Sequence, residues 1–352
     1  MLSNPEVIKE FIKAEALNLG FCIVGFTVPK QMKKFCQYQD WIHANLHASM
    51  NYLATDKAFT IRNNPILAFP NCKTIISLGA IFPNPNSFSE QDCPSAACGK
   101  IASYALGQDY HEVLKKQCDK LIASLIIQTG LTIAWQSAVD TQPLPERELA
   151  VQAGLGWIGK NGMLTTRKYG SALVLCEIMF DLALPPDEPY QQDFCGTCTL
   201  CIEACPTQCI LTDRTLDANR CLSYLTIEHR GEIPDAYFSL MGDRIFGCDT
   251  CVSICPWTKN AKDQPRMEAL FPVSKSAYFD IDANLYDMTE HFHRLFQHSA
   301  IRRTGKLGFL RNCLIHLANT NSAAAKQLMK KITAAYAHGT LLKLFDTLSI
   351  RK

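Results

Sequence analysis

Nine of the 17 cysteines lie between Cys195 and Cys255, and their spacing is typical of a metal centre. The first run, C-x2-C-x2-C-x3-C-P, begins at Cys195 and ends at Pro206. Bacterial two-cluster ferredoxins carry this run, in which three thiolates bind one [4Fe–4S] cluster and the fourth binds the other. A disulfide framework is the weaker alternative, because structural disulfides are rare in reducing compartments.

The second run, C-x2-C-x3-C-P, begins at Cys248 and lacks one cysteine of the full pattern. Cys221 lies between the two runs and is predicted to supply the missing ligand. Cys209 is the alternative, although it follows Pro206 closely, where the chain is leaving the cluster. Zinc is the alternative metal, since it also takes four thiolates. One cluster is predicted to be bound by Cys195, Cys198, Cys201 and Cys255, and the other by Cys205, Cys221, Cys248 and Cys251.

The 194 residues before Cys195 must have a function of their own, since a ferredoxin alone would not require them. Each cluster passes one electron at a time, so two-electron chemistry needs an acceptor at the end of the two-cluster path. The N-terminal residues are therefore predicted to hold that acceptor.

Several residues with special chemistry lie close together between Asp140 and Gly162. Asp140 follows a predicted strand, a common place for a catalytic group, although the pattern fits a cap of the next turn equally well. Glycines at positions 154, 156 and 159 allow the backbone to approach a ligand closely, and Lys160 and Asn161 offer polar groups. These glycines do not form the G-x-G-x-x-G fingerprint of a dinucleotide site.

Hydrophobic periodicity predicts mixed helices and strands up to residue 187, which favours an α+β domain. Helices are predicted at residues 5–20, 30–48, 111–129 and 145–153, and strands at 21–26, 73–81, 131–139 and 171–180. A proline-rich stretch at residues 185–189 marks a boundary, and two further helices are predicted at 301–319 and 323–337. The predicted domains are therefore residues 1–187, 188–277 and 278–352.

Length and charge limit the function further. The 352 residues are 47% hydrophobic and 19% charged, which is enough for a sizeable core. Residues 1–10 do not resemble a signal peptide and no run approaches the ~18 apolar residues of a membrane span, so we expect a soluble, cytoplasmic monomer without a membrane partner. The net charge is only +2, but residues 289–352 hold 11 Lys and Arg against 2 Asp and Glu. This asymmetry favours a polyanionic partner, with a solvated helix face as the alternative.

Motifs along most of the chain resemble the epoxyqueuosine reductase family. The combination of these motifs is far more specific than any one of them. The matching pieces are Arg62 with Pro65, Tyr104 to His111, Asp140 to Asn161, Tyr169 to Ser171, both cysteine runs, Cys221 to Gly231, Phe246 to Asp249, and Arg303 to Asn312.

The resemblance implies a cobalamin-dependent enzyme that reduces epoxyqueuosine to queuosine at the wobble position of tRNA. It also implies a nitroreductase-like cobalamin-binding domain, a two-cluster ferredoxin-like domain and a C-terminal α-helical segment similar to HEAT repeats. The core of the family is similar to that of reductive dehalogenases. The implied partners are the anticodon stem-loop that carries epoxyqueuosine and an external electron donor.

The resemblance also assigns roles to residues. Asp140 is expected to lie against cobalamin and to donate a proton to the opening epoxide oxygen. The other expected cobalamin contacts are Arg62, Ser103, Lys160, Asn161, Ser171 and Ser223, for which a purely structural role is the alternative. The expected contacts to tRNA phosphates are Arg302, Arg303, Lys306 and Arg311.

The sequence departs from the family in two places near the cysteines. Gln208-Cys209 stands where the family usually has alanine, and Thr258 follows the second Cys-Pro-Trp, where asparagine is usual. Neither change removes a predicted ligand. The D-x-H-x-x-G corrinoid signature is absent, because Leu114 occupies its glycine position. We therefore interpret His111 as a packing or hydrogen-bonding residue, and cobalamin depends on the resemblance alone.

Three other functions fit parts of the sequence. A reductive dehalogenase-like enzyme would act on a small molecule, which leaves the basic C-terminal region unexplained. A non-enzymatic electron carrier would bind clusters but no corrinoid. A zinc-binding RNA module would use the same cysteines without redox chemistry.

Overall fold

The computed structural model describes residues 3–89, 97–212, 214–273 and 276–350. In chain order, its strands are β1 (Ile23–Thr27), β2 (Thr74–Ile81), β3 (Cys98–Ile101), β4 (Trp135–Ala138), β5 (Trp157–Ile158), β6 (Leu164–Thr165), β7 (Leu173–Phe180), β8 (Arg244–Phe246) and β9 (Tyr278–Asp280). A four-stranded sheet in the order β1-β2-β7-β4 forms the centre of the N-terminal region, and all its neighbouring pairs are antiparallel.

Helices surround this sheet and fill the C-terminal region. The N-terminal helices are α1 (Pro5–Asn18), α2 (Phe35–His43), α3 (Asp56–Asn63), α4 (Tyr110–Thr129) and α5 (Glu146–Gln152). The later helices are α6 (Leu200–Glu203), α7 (Leu222–Ile227), α8 (Phe238–Met241), α9 (Thr250–Ser253), α10 (Pro256–Lys259), α11 (Leu285–Glu290), α12 (Phe292–Leu295), α13 (Gly305–Thr320), α14 (Ala323–Ala335) and α15 (Gly339–Ser349). Every helix in the described ranges falls short of the length and apolar character that a bilayer-spanning segment requires.

The two faces of the central sheet pack against different helices because side chains alternate along a strand. Ile76 and Leu78 of β2 share a core with α1 and α4. Ile75, on the opposite face, packs with Leu149 of α5. Ser77 and Glu177 are directly paired in the register of β2 and β7, and both lie on the α5 side. Two polar groups are therefore buried under α5, next to the segment that carries Asp140.

All eight helices and strands predicted for residues 5–180 correspond to observed elements, although some are shorter than predicted. The predicted strands 73–81 and 171–180 and the predicted helix 111–129 correspond closely to β2, β7 and α4. The predicted helix 30–48 is wrong in length, because α2 begins at Phe35 and ends at His43. Asn45 and Ala48, just beyond it, adopt left-handed φ angles of 55° and 54°, which a helix cannot continue through.

A second sheet, in the order β8-β3-β9, was not predicted. It joins one strand from each of the three predicted domains, with β3 parallel to β8 and antiparallel to β9. Ile101 of β3, Phe246 of β8 and Phe309 of α13 belong to one core. The predicted domain boundaries stay predictions, but the three regions are packed together through this sheet and core.

The C-terminal region is helical, as predicted. Helix α13 begins after a 3-10 turn at Ala300–Thr304 and packs against α14 and α15. Leu310 and Leu314 of α13 are fully buried, whereas α14 buries one stripe that includes Leu328 and Ile332. The predicted helices 301–319 and 323–337 match α13 and α14, and α15 was missed.

Candidate active site: two cysteine groups and the Asp140 site

The first group of cysteines converges although its members come from two separate runs. Burial raises the pKa of the Cys201 thiol, and the neighbouring thiols raise it further. Those neighbours are Cys195, Cys255 and Cys198. Cys201 is thus within electrostatic reach of the other three cysteines predicted for its cluster, and the assignment of these four ligands stays a prediction.

The second group adjoins the first. Burial raises the pKa of the Cys251 thiol well above its ordinary value, and four surrounding thiols add to the effect. Those neighbours are Cys248, Cys221, Cys201 and Cys205. Cys201 belongs to the first group, so the two groups are within electrostatic reach of each other, as a short electron path requires.

Cys209 lies inside the second group. Its Sγ is 3.5 Å from the Sγ of Cys205, and its backbone N–H donates to the same sulfur at 3.4 Å. The hydrogen bond from Cys209 also lowers the pKa of Cys221, to about 7. Cys209 therefore contacts two of the predicted ligands, and Cys221 is the one that neighbours both Cys248 and Cys251.

The donor set fits two four-iron clusters. Among the described residues, no three His, Cys, Asp or Glu side chains are close enough to hold a single metal ion. A [4Fe–4S] cluster separates its thiolates more widely than one tetrahedral ion does, because iron and sulfide lie between them. Two groups of four thiols match the type and number of ligands that two such clusters need.

The turn between β5 and β6 contacts the cysteine loops from the N-terminal side. The indole N–H of Trp157 donates to Cys195 Sγ at 3.4 Å. The ammonium of Lys160 donates to the carbonyls of Gly196 and Cys198, both at 2.8 Å. Asn161 Nδ2 donates to the carbonyl of Cys251 at 3.2 Å. Lys160 and Asn161 thus hold the two cysteine runs in place, and their contact with cobalamin stays a prediction.

The three predicted serines also connect to the cysteine region. Ser103 donates from its backbone N–H and its Oγ to Asp249 Oδ2, each at 2.7 Å. Ser171 is fully buried, with its Oγ 3.1 Å from Thr258 Oγ1. The backbone of Ser223 hydrogen-bonds to the Cys221 sulfur and lowers its pKa. Their role as cobalamin contacts stays a prediction.

Asp140 lies two residues beyond β4 and presents its carboxyl to solvent, with 68% of the side chain exposed. Its φ angle is +50°, an unusual value for a residue other than glycine. Its backbone N–H donates to Glu146 Oε1 at 2.8 Å, which holds the loop in this conformation. The hydroxyl of Tyr110 donates to Asp140 Oδ2 at 3.1 Å. Tyr110 and Glu146 belong to other elements, and their hydrogen bonds fix the position of Asp140.

His111 is held beside Asp140. Its Nδ1 is 2.6 Å from Asp109 Oδ1, its Nε2 is 3.9 Å from Asp140 Oδ2, and its ring stacks on Tyr110. Burial lowers the pKa of His111, but the hydrogen bond to Asp109 and the charges of the surrounding carboxylates together outweigh burial, so the net shift is upward. These contacts agree with the interpretation of His111 as a hydrogen-bonding residue.

Two carboxyls lie beneath the Asp140 loop. Burial, followed by the charge of Asp140, raises the pKa of Glu146 to about 7. Burial and the charge of Glu146 raise the pKa of Glu177 well above its ordinary value, and Ser77 Oγ donates to Glu177 at 3.3 Å. Arg147 and Arg62 oppose part of this shift at Glu146. Neither glutamate has a role predicted from the sequence, although an acidic residue within the apolar strand β7 is a signal of buried polar chemistry.

An aromatic and a basic side chain lie within electrostatic reach of Asp140. The Arg303 guanidinium donates to both carboxylate oxygens of Glu228, at 2.7 and 2.9 Å, and lies 5.6 Å from the ring centre of Tyr52. Tyr52 is 52% exposed. The charge of Asp140 affects the pKa of both Tyr52 and Arg303. We call Asp140, Tyr110, Glu228, Arg303 and Tyr52 the Asp140 site.

The four residues predicted to contact tRNA phosphates differ in solvent exposure and in hydrogen-bond partners. Arg302 and Arg303 are exposed, and Lys306 donates to the carbonyl of Thr289. Arg311 is 3% exposed, and burial lowers its pKa to about 10. Its guanidinium donates to the backbone carbonyls of Leu225, His229 and Gly231. The prediction that Arg311 contacts phosphate is wrong, because this buried guanidinium holds the α7 segment instead.

Comparison with known proteins identifies relatives over the whole described structure. A family model described as "Epoxyqueuosine reductase QueG, DUF1730" matches residues 62–141, and one described as "4Fe-4S double cluster binding domain" matches residues 194–258. An epoxyqueuosine reductase of Cyclobacterium marinum is 35% identical over 92% of this chain and 100% of its own length. That of Escherichia coli K12 is 36% identical over 88% of this chain and 80% of its own length.

Solved structures of epoxyqueuosine reductases have the same fold. One was determined with an epoxyqueuosine-modified stem loop of tyrosine tRNA; its TM-score is 0.84 at 28% identity, covering 99% of this chain and 96% of that one. Another, from Bacillus subtilis, has a catalytic loop named for an aspartate swung out of its active site. Its TM-score is 0.82 at 26% identity, covering 98% of this chain and 90% of that one.

Proposed function

The chain belongs to the epoxyqueuosine reductase family, and we propose that it reduces the epoxide of epoxyqueuosine in tRNA at the Asp140 site. The observation that carries this assignment to a site is the exposed Asp140 carboxyl, which hydrogen bonds with Tyr110 and Glu146 hold in position. Tyr104 lies within electrostatic reach of both Asp140 and Asp249, the residue that follows Cys248. A proton donor and an electron path are what the reaction requires. The Bacillus subtilis relative, whose catalytic loop is named for an aspartate, supports the same role for the Asp140 loop.

The reaction converts an epoxide into an alkene. Two carbon–oxygen bonds break, a carbon–carbon double bond forms, and the oxygen leaves as water. The balance requires two electrons and two protons for each epoxide. The chain must therefore bring electrons and at least one positioned acid to the same epoxide group.

The two groups of cysteines would hold two [4Fe–4S] clusters, which would supply electrons one at a time from an external donor. Lys160 and Asn161 hold the loops of the two runs from the N-terminal side. These contacts fix the cysteine groups relative to the segment that carries Asp140. Rigid placement matters because the electron path must end at the substrate.

Cobalamin is the acceptor that we propose for the end of this path; when bound, its reduced cobalt delivers the electron pair. The residues present fit a polar cofactor, because the buried Nε of Arg62 has no hydrogen-bond partner among the described residues. Arg62 is also within electrostatic reach of Glu146, next to the Asp140 loop. We propose that Arg62 and Ser223 would contact the cofactor. His111 is occupied by Asp109 and does not serve as a ligand in this proposal.

Asp140 is the proton donor in this proposal. Its carboxyl is the exposed acid of the site, and the epoxide oxygen takes its proton as the ring opens. Burial raises the pKa of Tyr110, so its hydroxyl stays protonated and holds the Asp140 carboxyl through a hydrogen bond. Glu146 fixes the Asp140 backbone, which directs the carboxyl toward the open side of the site.

The tRNA is proposed to approach across Tyr52, Arg302 and Arg303. A modified base in an anticodon loop is easily splayed out, and such bases stack on aromatic rings and guanidinium planes. Tyr52 offers an exposed ring beside the fixed guanidinium of Arg303, and both are within electrostatic reach of Asp140. Arg302 remains exposed for phosphate contact, which makes binding weaker at high salt.

Nucleoside mass spectrometry tests the proposal directly. The protein with both clusters is incubated without oxygen with epoxyqueuosine-containing tRNA, cobalamin and a strong chemical reductant. The expected result is loss of one oxygen from the modified nucleoside, only when cobalamin is added. An unchanged nucleoside, with iron and sulfide present at two-cluster stoichiometry, would overturn the proposed reaction. Loss of oxygen without cobalamin would overturn the cofactor assignment alone.

A further inference from the structure

Trp157 of β5 is the residue of the N-terminal region whose side chain reaches a predicted ligand sulfur. Its Nε1 donates to Cys195 Sγ at 3.4 Å. We propose that this hydrogen bond raises the reduction potential of the cluster held by the first group, Cys195, Cys198, Cys201 and Cys255. The inference rests on the cluster-binding part of the proposed function, and it does not depend on the substrate.

The indole N–H has no other hydrogen-bond partner among the described contacts. Trp157 is 4% exposed, and indole nitrogen is a donor only. A buried indole N–H normally finds a partner, because an unpaired one costs free energy. The cysteine sulfur is therefore the acceptor that accounts for the orientation of the ring.

Aromatic side chains surround this hydrogen bond. The ring centre of Trp157 is 5.3 Å from that of Phe194, 5.4 Å from that of Trp257 and 6.1 Å from that of Tyr190. These rings cover the indole, which is therefore almost fully buried. A hydrogen bond in such surroundings is electrostatically stronger than one in water.

Among the described residues, the sulfurs of the second group are contacted by donors from its own loops. Thr250 Oγ1 is 3.3 Å from Cys248 Sγ, and the backbone N–H of Cys209 donates to Cys205 Sγ. Trp157, by contrast, comes from a different part of the chain. The same turn brings the positive charge of Lys160 onto the Gly196 and Cys198 carbonyls. The N-terminal region thus acts on the electrostatics of the first group in two ways.

The sign of the effect follows from charge. A reduced cluster carries one more negative charge than the oxidised cluster, and part of that charge lies on the ligand sulfurs. A donor to one of these sulfurs therefore stabilises the reduced form more than the oxidised form. Hydrogen bonds to the sulfurs are a recognised determinant of cluster potential. The cluster held by the first group is therefore easier to reduce.

The test is a potentiometric titration of Trp157→Phe, followed by electron paramagnetic resonance, on the full chain with both clusters. Phenylalanine keeps an apolar ring and removes the donor. One of the two reduction steps is expected to move to a more negative potential and the other to stay. A tenfold fall in the ratio of reduced to oxidised cluster at a fixed potential corresponds to a shift of about 59 mV for one electron.

Two matched variants keep the test decisive. Trp257→Phe changes the same group of rings, and no hydrogen bond joins Trp257 to a cysteine sulfur among the described residues, so both potentials should stay close to wild type. Replacing Trp157 with β-(3-benzothienyl)alanine preserves the size of the ring and removes only the N–H, so it should reproduce the shift if the phenylalanine variant folds poorly. Unchanged potentials in the benzothienyl variant, or an equal shift in Trp257→Phe, would overturn the inference. Neither result tests the proposed reaction, which the nucleoside assay tests separately.

Discussion

The cysteine module, residues 188–277, and the Asp140 site are built in opposite ways. The module takes seven of its eight predicted ligands from two short runs, at residues 195–205 and 248–255. The Asp140 site draws each residue from a different element, including a 3-10 turn at Asn51–Leu53 for Tyr52 and helix α4 for Tyr110. Ligand spacing is a local property, whereas the surroundings of Asp140 exist only after distant segments have packed.

The two regions also differ in how they treat charge. The thiols of the module lie near one another and are partly exposed, so metal binding is what compensates their mutual repulsion. At the Asp140 site, a protein group compensates charge, because Arg303 pairs with Glu228. Beneath the site, burial raises the pKa of Glu177 well above its ordinary value. We therefore expect changes in the module to remove a cofactor, and changes at the Asp140 site to alter reactivity or stability while leaving the clusters in place.

The largest effect is expected from removing a ligand of the second group. Cys221→Ser should lower the iron content from about eight to about four atoms per chain and abolish turnover, because a [4Fe–4S] cluster needs four thiolates. Cys209→Ser is the matched variant and should keep both clusters, since Cys209 contacts ligands without being one in this assignment. Iron and sulfide analysis of both proteins measures the difference. The reverse pattern would identify Cys209 as the ligand.

Asp140→Asn should keep iron, sulfide and cobalamin and lose turnover by about 10²- to 10⁴-fold, the usual contribution of a positioned acid. Asparagine preserves the size of the side chain and its contact with Tyr110 but cannot supply the proton. Single-turnover reduction of the modified nucleoside measures the loss. Asp119→Asn, on the exposed side of α4, is the control and should behave like wild type. Turnover close to wild type in Asp140→Asn would remove Asp140 from the role of proton donor.

Substitutions of Arg311 and Arg302 should separate an effect on stability from an effect on tRNA binding. Arg311→Met leaves the carbonyls of Leu225, His229 and Gly231 without their donor, so the free energy of unfolding should fall by roughly 3 kcal/mol or more.

Arg302→Met, at an exposed position, should change stability by less than about 0.5 kcal/mol and weaken tRNA binding in a salt-dependent way. Thermal unfolding and a binding titration at two salt concentrations measure both variants. If the two variants proved equally stable, Arg311 would not hold the α7 segment in the way its hydrogen bonds indicate.

The smallest effect is expected from Glu146, and it depends on pH. Its folded pKa of about 7 lies above the ordinary value of 4.5. Because the pKa of Glu146 is higher in the folded state, the stability that this carboxyl contributes is complete below pH 4.5. That contribution is lost as the pH rises through 7. The carboxyl groups of Asp140 and Glu177 lie within electrostatic reach of Glu146. The guanidinium groups of Arg62 and Arg147 do so as well.

Glu146→Gln removes the titration and keeps an acceptor for the Asp140 N–H. Between pH 5 and pH 8, the wild type should therefore lose stability relative to Glu146→Gln, by at most about 3 kcal/mol, since one pKa unit is about 1.4 kcal/mol. Thermal unfolding across this pH range gives the comparison, and Glu6→Gln, at an exposed position of α1, controls for a general change of charge. A constant difference between wild type and Glu146→Gln would contradict the buried, raised carboxyl.

Long periodic elements were predictable because their signals are contained in the elements themselves. The continuous apolar run of β2 and the cap at Asp109 with its apolar stripe in α4 define both elements locally. Strands β3, β8 and β9 have only three or four residues each and acquire strand geometry by pairing with segments more than 30 residues away. No window of sequence around any of them contains its partner.

The sequence by itself determined the two cysteine runs and the family, because both depend on residue types at fixed spacing. Asp140 was predicted as the acid only through the resemblance to that family. The tertiary structure decided which charged groups are available. It buried Arg311 as a structural residue, left Arg302 exposed, and placed Glu146 and Glu177 beneath Asp140. It also brought Trp157 to Cys195 across 38 positions of the chain. The physical reason is that desolvation and hydrogen bonding depend on neighbours in space, and folding chooses those neighbours from distant parts of the sequence.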